Sequence, residues 1–193
     1  MTTGRRRLEP ARLAIRLLAA DAQGALASFS SGDADLDDFA RTDALRLQAQ
    51  NVVRTYLAFY DHALVGYVAL LADAVVLETK ERKKLALSAQ DHPIVPALKI
   101  ARLAVSEAFR TTHRGVGEAL VRFAFVTAGE LADAVGCRLL TLDAYPQSVA
   151  FYERLGFVPN KAKPYQGKTH PSMRLDVFAP TLPPWVQSDA SEP

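Results

Sequence analysis

The stretch TTHRGVGEAL, Thr111–Leu120, lies where an apolar run ending in IARLAVSEAF gives way to a helix-like run beginning VRFAFV. Two glycines, Gly115 and Gly117, follow an arginine here, although a simple turn needs one glycine at most. Glycine lacks the Cβ atom that would hold a bound group away from the backbone. A helix N-terminus also presents free N–H groups and the positive end of the helix dipole. The stretch therefore indicates a strand–turn–helix unit that binds phosphate.

Two common phosphate-binding motifs do not fit this turn. A P-loop requires a lysine directly after its last glycine, and no lysine follows Gly115 or Gly117. The dinucleotide-binding motif requires a third glycine where this chain has Leu120. Arg110 and Arg114 add positive charge nearby. A tight turn with close helix packing remains the alternative interpretation of this segment taken alone.

The composition indicates an ordinary globular protein. The chain has 193 residues, of which 49% are hydrophobic and 23% are charged, and this length suits one domain. Its net charge of +2 permits an anionic partner without requiring one. The single cysteine, Cys137, excludes an internal disulfide, and its apolar surroundings favour a buried hydrophobe over a nucleophile.

The N-terminal leucine-rich segment does not fit a signal peptide, because Arg12, Arg16 and Asp21 interrupt its apolar run. No stretch approaches the length of a membrane span. We therefore expect a cytoplasmic protein with no membrane partner and no metal site. Residues 181–193 are rich in proline, serine and aspartate, and we expect them to form a loosely ordered tail.

Hydrophobic periodicity predicts an α/β protein. Two apolar strands joined at Asp61–His62 form a central hairpin, and the charged connection Glu78–Pro96 is predicted to be a lid, a binding loop or a short helix. A helix follows the two glycines and ends at Gly136. The other predicted elements are a helix with apolar residues from 36 to 47, opened by the acidic stretch GDADLDD, strands over 97–105, 137–144 and 172–178, and a helix over 146–155.

A second segment, AFYERLGFVP, follows the glycine turn by one strand and one helix. The ordered set ARLAV, THRGVG, RLLTLDA and FYERLGF resembles the GNAT superfamily of N-acetyltransferases, in which a Q/R-x-x-G-x-G/A turn precedes an FY-x-x-x-GF helix. The match covers residues 96–160, and the order of elements from 50 to 178 is compatible with it. The resemblance implies a single GNAT-like domain over residues 1–180, with a mixed, mostly antiparallel central sheet flanked by helices and a cofactor at a splayed strand pair.

The resemblance also implies acetyl-CoA as the co-substrate. Backbone N–H groups of the turn would bind its pyrophosphate, and an exposed strand edge would pair with its pantetheine arm and polarise the thioester carbonyl. The implied cofactor-binding residues are Leu103, Ala104, Val105, Arg110, His113, Arg114, Gly115, Val116, Gly117 and Glu118. Tyr152 occupies the family's general-acid position, and a phenol with a pKa near 10 stays protonated at neutral pH. Without the resemblance, Tyr152 is more typical of a packed core aromatic.

Two positions depart from the family pattern. Thr112 stands where Gln or Arg is usual, so that one phosphate contact is either missing or supplied by His113 or Arg110. Tyr145 replaces a frequent asparagine. No motif assigns a general base, and a water relay is an alternative to a protein base. The loop candidates for a base are His62, His92 and Glu78, each also typical of a solvated residue, while His170 has no assigned role.

The segment FSSGDADLDDFARTDAL, Phe29–Leu45, is similar to the F-x-C-G-x-x-x-L-D-x-F stretch of the toxin-type acetyltransferases of bacterial toxin–antitoxin modules. The matching residues are Phe29, Gly32, Leu36, Asp37 and Phe39, and Ser31 replaces the usual cysteine. This resemblance implies acetylation of aminoacyl-tRNA and a small DNA-binding antitoxin as partner. Candidate tRNA phosphate contacts are Lys80, Arg82, Lys83, Lys84, Lys161, Lys163 and Lys168, with solvated loops as the favoured alternative.

Three functions follow from these observations. The leading one is an acetyltransferase that acts on a primary amine of a small molecule, peptide or protein. The second is the toxin-type enzyme that acts on aminoacyl-tRNA. The third is a non-catalytic CoA-binding module, which the departure at Thr112 keeps open. A homodimer is compatible with all three.

Overall fold

The structure, a computed structural model, describes residues 4–88, 90–181 and 183–187. Its strands are β1 (Arg6–Arg7), β2 (Leu13–Leu17), β3 (Arg54–Tyr60), β4 (Ala63–Val76), β5 (Ile94–Val105), β6 (His113–Arg114), β7 (Leu139–Asp143), β8 (Val158–Pro159) and β9 (Ser172–Asp176). Its α-helices are α1 (Gln23–Ala27), α2 (Ala34–Asp38), α3 (Ala44–Ala49), α4 (Thr79–Lys84), α5 (Glu107–Thr112), α6 (Val116–Val135), α7 (Val149–Arg154) and α8 (Pro184–Gln187).

Seven strands form one sheet in the order β2-β3-β4-β5-β7-β9-β8. The β5–β7 pair is parallel, whereas β2–β3, β3–β4, β7–β9 and β8–β9 are antiparallel. The predicted mixed, mostly antiparallel sheet flanked by helices is therefore confirmed. A separate two-stranded sheet joins β1 to β6.

The chain divides into two compact units, and both β4 and β5 contribute to each of them. The first unit comprises residues 1–71 and 101–121, and the second comprises 72–100 and 122–193. In the first, the fully buried ring of Tyr67 contacts Phe29 and Phe39, with ring centroids 5.6 and 5.9 Å away. The second is built around buried apolar residues that include Leu139, Leu140, Leu142, Phe157 and Met173.

Several predicted elements are present with altered boundaries. The hairpin turns at Asp61 and His62, which have φ angles of 46° and 68°. The helix predicted from the apolar residues between 36 and 47 is α2, a π-helical turn at Phe39–Asp43 and then α3. It begins within the acidic stretch GDADLDD, as predicted, where the Asp33 carboxylate caps the N–H groups of α2. The charged connection Glu78–Pro96 contains the short helix α4, and β5 starts at Ile94.

One prediction about the glycine turn is wrong in detail. The turn does not follow the long strand directly, because α5 and β6 lie between β5 and α6. The Ser106 hydroxyl accepts a hydrogen bond from the N–H of Phe109 at 3.5 Å and so caps α5 at its start. The strand-to-helix unit is therefore longer than the sequence indicates.

The segment 181–193 is predicted to be a loose tail. Within it, Pro184–Gln187 form α8, and Trp185 is buried with its ring 5.6 Å from that of Phe125. Residues 188–193 lie outside the described residues, and for them the loose tail stays a prediction, as does the domain boundary at 180. No helix in the described ranges has both the length and the apolar composition needed to cross a bilayer.

Candidate active site

The glycine turn places the predicted phosphate-binding residues at the start of α6. Gly115 has a φ of 107°, in the region that favours glycine. The N–H of Ala119 donates to the Gly115 carbonyl at 2.9 Å and closes the first helical turn. The N–H groups of Val116, Gly117 and Glu118 therefore come before the first intrahelical hydrogen bond and remain donors for a bound anion.

Thr112 and His113 are engaged in local contacts beside this turn. The Thr112 hydroxyl donates to the Phe109 carbonyl at 3.1 Å and lies 2.9 Å from Nδ1 of His113. The His113 ring stacks on Phe109, with centroids 4.1 Å apart and planes at 8°, and also contacts Tyr60. No pattern in the sequence indicates this aromatic group, which holds α5 against β3 within the first unit.

Arg110 is exposed but not wholly available to a cofactor. Its Nη2 donates to the carbonyl of Ser31 at 3.1 Å, so the guanidinium also fastens α5 to the loop before α2. Arg114 is exposed on β6. Within the described residues, neither of the two arginines predicted to lie near the cofactor phosphates forms a side-chain ion pair, and Arg110 is held by its bond to the Ser31 carbonyl.

The strand edge predicted to bind the pantetheine arm lies on β5. In the described part of the chain, β5 pairs with β7 from Ala97 to Ile100, and β5 then continues through Ala101–Val105. Ala104 is buried, and a Cβ atom on Gly66 would lie only 2.6 Å from the Ala104 carbonyl oxygen. Glycine at position 66 therefore permits the close approach of β4 to this part of β5.

Tyr152, the predicted general acid, lies on α7 in the second unit. It is buried, and its ring contacts those of Phe151 and Phe157 at centroid distances of 5.0 and 5.6 Å. Its carbonyl accepts the N–H groups of Leu155 and Phe157, both at 3.0 Å, which ends the helix. Burial raises the pKa of Tyr152 to about 12, so the hydroxyl keeps its proton at every physiological pH.

The candidates for a general base lie in separate places. Glu78 caps α4, because its carboxylate accepts the N–H of Glu81 while the Glu81 carboxylate accepts the N–H of Glu78. Nδ1 of His92 accepts the N–H of Ile94 at 3.2 Å in an exposed loop. His62 lines a cavity of about 240 Å³ with Arg12, Ala14, Arg16, Phe59 and Asp61. His170 packs edge-on against Tyr145 with ring centroids 4.9 Å apart.

The basic residues proposed from the sequence as tRNA contacts differ in exposure. Arg82 is buried on α4, and its assignment as a phosphate contact is corrected accordingly. The preceding residue, Glu81, is also buried. Its carboxylate accepts a hydrogen bond from Arg174 Nη1 at 2.7 Å, and this ion pair links α4 to β9. The exposed members are Lys80, Lys83, Lys84, Lys161, Lys163 and Lys168.

The Phe29–Leu45 segment has a structural explanation. The hydroxyl and the N–H of Ser31 both donate to the Asp37 carboxylate at 2.7 Å. Burial by itself would raise the pKa of Asp37, but these bonds, with Ser30 and the charge of Arg41, bring it below the ordinary value. Asp37 is therefore a charged tie between the loop and α2. Among the described residues, no cluster of His, Cys, Asp or Glu could hold a metal ion.

Comparison with known families decides the class of enzyme. The acetyltransferase (GNAT) domain family matches residues 51–159, which include β5, the glycine turn and α7. The chain belongs to the GNAT acetyltransferases. This acetyltransferase is 32% identical over 131 residues to a tRNA-acetylating toxin of Mycobacterium tuberculosis, a match that covers 67% of the chain and 76% of that relative.

Solved structures of toxins share the fold of this GNAT acetyltransferase. AtaT complexed with acetyl-methionyl-tRNAfMet has a TM-score of 0.71 at 23% identity, covering 85% of this chain and 94% of AtaT. A Tyr-to-Phe variant of AtaT bound to acetyl-CoA and the C-terminus of the antitoxin AtaR has a TM-score of 0.69 at 20% identity, covering 94% and 99%. At these identities the likeness demonstrates the shared fold.

Proposed function

We propose that the protein transfers the acetyl group of acetyl-CoA to the amino group of an aminoacyl-tRNA. The observation that carries this proposal is the 32% identity to a tRNA-acetylating toxin. It favours the tRNA acceptor over an unspecified primary amine of a small molecule, peptide or protein. By the same comparison with AtaT, whose complex contains the antitoxin AtaR, we expect a small antitoxin protein as partner.

The donor end of the reaction uses backbone groups. The N–H groups at the start of α6 bind the pyrophosphate, helped by the positive end of the helix dipole. The pantetheine amides pair with the β5 backbone at Leu103–Val105 as an added strand. A β5 N–H group in this stretch donates to the thioester oxygen and stabilises the oxyanion as it forms, an interaction worth about 10²–10³ in turnover in other enzymes.

The acyl transfer balances without an external reagent. A neutral amine attacks the thioester carbon, so that a C–N bond forms and the carbonyl oxygen becomes an oxyanion. Collapse of this intermediate breaks the C–S bond, and CoA leaves as a thiolate. The amine loses one proton and the thiolate gains one, which gives an amide and CoA thiol. Because a reference α-amino group has a pKa of about 7.7–8.0, a sizeable fraction is already neutral at physiological pH.

Tyr152 supplies the proton donor at the sulfur. With a pKa of about 12, it remains a phenol throughout the cycle and can hydrogen-bond to the departing thiolate. A thiol has a reference pKa of about 8.5, so complete transfer from Tyr152 in isolation is uphill. The hydroxyl therefore stabilises the developing thiolate by a hydrogen bond. As Tyr152 passes its proton to the sulfur, it accepts the proton that the amine releases, so that it remains a phenol.

The acceptor tRNA is bound through the positive charge of exposed lysines. The exposed lysines Lys83 and Lys84 on α4, and Lys161, Lys163 and Lys168 in the loop after β8, contact tRNA phosphates. Such contacts carry no sequence information, so the choice among tRNAs lies in other contacts.

The decisive experiment incubates the protein with labelled acetyl-CoA and a full set of charged tRNAs. We expect label on at least one aminoacyl-tRNA, recovered as the N-acetylated amino acid after the ester is hydrolysed by base. Two controls are run: uncharged tRNA with the wild-type protein, and charged tRNA with the Tyr152→Phe protein. Label in a polyamine, peptide or amino sugar, with none in any aminoacyl-tRNA, would refute the proposed acceptor.

A further inference from the structure

The N-terminal arginines lie against the glycine turn. Strand β1 pairs in parallel with β6, so that Arg6 is opposite His113 and Arg7 is opposite Arg114. The N–H of Leu8 continues the pairing by donating to the Arg114 carbonyl at 2.9 Å. This ladder holds the backbone of two arginines one strand spacing, about 4.8 Å, from the residues that lead into α6.

Leu8 fixes the end of β1 at the turn. Its side chain is buried, although every residue of the arginine run before it is exposed. A Cβ atom on Gly115 would lie 3.4 Å from the Cβ atom of Leu8, so Leu8 packs directly over the turn. The arginines therefore have a defined place beside the turn and are not part of a free terminus.

The arrangement concentrates like charges. Arg7 and Arg114 are direct cross-strand neighbours, and like charges in that relation destabilise a ladder. Arg5 is drawn to the same place, since its Nη1 donates to the Arg110 carbonyl at 3.4 Å. Within the described ranges, no carboxylate forms an ion pair with Arg6, Arg7 or Arg114. An anion bound between these guanidinium groups would attract each of them and offset their mutual repulsion.

We propose that Arg7 and Arg114, which project from the same face of the β1–β6 ladder, form a binding site for the 3′-phosphate of acetyl-CoA, and that Arg6 adds positive charge from the opposite face. The inference rests on the proposed function, in which the pyrophosphate of the same molecule lies at the turn. The N–H groups of α6 account for the pyrophosphate, whereas the ribose 3′-phosphate is a separate dianionic monoester. Guanidinium groups bind phosphate oxygens in pairs, which makes arginine the suitable residue for such a group.

The test compares acetyl-CoA with 3′-dephospho-acetyl-CoA by calorimetry on the full chain. We expect the wild-type protein to prefer acetyl-CoA by about tenfold, or about 1.4 kcal/mol. The double variant Arg6→Gln, Arg7→Gln reduces this preference to about threefold or less by weakening acetyl-CoA alone. The double variant Arg46→Gln, Arg54→Gln removes the same charge from exposed arginines outside the patch and leaves the preference unchanged.

Further outcomes separate this inference from its alternatives. Equal binding of the two donors by the wild-type protein overturns the inference and leaves the proposed acetyl transfer intact. Equal weakening of both donors in the Arg6→Gln, Arg7→Gln variant overturns it too, because that result reports a disturbed turn. Reduced tRNA affinity with normal acetyl-CoA binding would assign the arginines to RNA and overturn it as well. Partial retention of the preference in Arg6→Lys, Arg7→Lys supports it, because the charge stays while the paired donors are removed.

Discussion

Replacement of Tyr152 by phenylalanine removes one hydroxyl and leaves the packing of the ring. The ring contacts with Phe151 and Phe157 do not involve that oxygen. We therefore expect acetyl-CoA affinity to stay within about twofold, whereas turnover falls by about 10²–10⁴, the usual contribution of a general acid. The loss appears in kcat more than in binding, because the hydrogen bond strengthens as the thiolate develops.

Two groups set the expected pH dependence of this enzyme, the acceptor amine and Tyr152. Because that pKa is about 12, wild-type turnover should rise as the acceptor amine loses its proton near pH 8 and show no decline from Tyr152 below pH 10. Stability behaves differently. A tyrosine in the unfolded chain ionises near pH 10, so the stability from this buried phenol is complete below pH 10 and lost as pH rises through 12. The wild-type protein should lose on the order of 2–3 kcal/mol more than the Tyr152→Phe variant over this range.

The assay measures free thiol release at saturating acetyl-CoA from pH 6 to 9.5. Tyr165→Phe is the matched control, since the Tyr165 hydroxyl accepts the N–H of Val76 at 3.0 Å and serves the fold. That control should lower stability by about 1 kcal/mol and keep its turnover. If Tyr152→Phe releases thiol within threefold of the wild-type rate at every pH, Tyr152 is a packed aromatic and the general-acid assignment fails.

Three other changes test the site and its support. Gly117→Val should weaken acetyl-CoA binding at least tenfold, about 1.4 kcal/mol, in calorimetry, and an unchanged affinity in a folded protein would disprove the placement of the pyrophosphate. Glu81→Gln should lower the urea-derived free energy of unfolding by about 3–5 kcal/mol, because the buried Arg174 loses its ion pair; a decrease under about 1 kcal/mol would contradict this. The double variant Lys83→Ala, Lys84→Ala should weaken tRNA binding and leave acetyl-CoA affinity constant. The slope of log tRNA affinity against log salt concentration should fall by about one unit for each lysine–phosphate pair removed. A parallel decrease in both affinities would count against a tRNA role.

Elements with strong local signals can be predicted from the sequence. Gly136 follows α6 with a φ of 77°, as expected of a residue that ends a helix. The Asp61–His62 turn is predictable because two apolar runs flank it. By contrast, β2 is not among the predicted strands, although Leu13, Ile15 and Leu17 alternate, because Arg12 and Arg16 interrupt the apolar run. The helix α5 is not predicted either, although Ser106 and Glu107 are typical of a helix start.

Other features have no local signal at all. Glu81 and Arg174 are 93 positions apart, so nothing near Glu81 in the sequence indicates that it is a buried ion-pair partner. For the same reason the sequence places Arg82 among solvated basic residues although the fold buries it. The pairing of β1 with β6 joins positions on opposite sides of four strands and several helices. Long-range pairings of this kind depend on the assembled sheet, which a local pattern of residues does not encode.

Ser31 has a consequence for how the protein responds to oxidants. The toxin-type pattern carries a cysteine at this position, whereas the serine leaves the loop without a group that can form a sulfenic acid or a mixed disulfide. The serine hydroxyl makes the bond to Asp37 at 2.7 Å and has no such chemistry. Cys137, the single thiol of the chain, is buried, and burial raises its pKa, which keeps it in the unreactive protonated form. Peroxide or disulfide stress should therefore leave both the loop at Ser31 and the activity of this acetyltransferase unchanged.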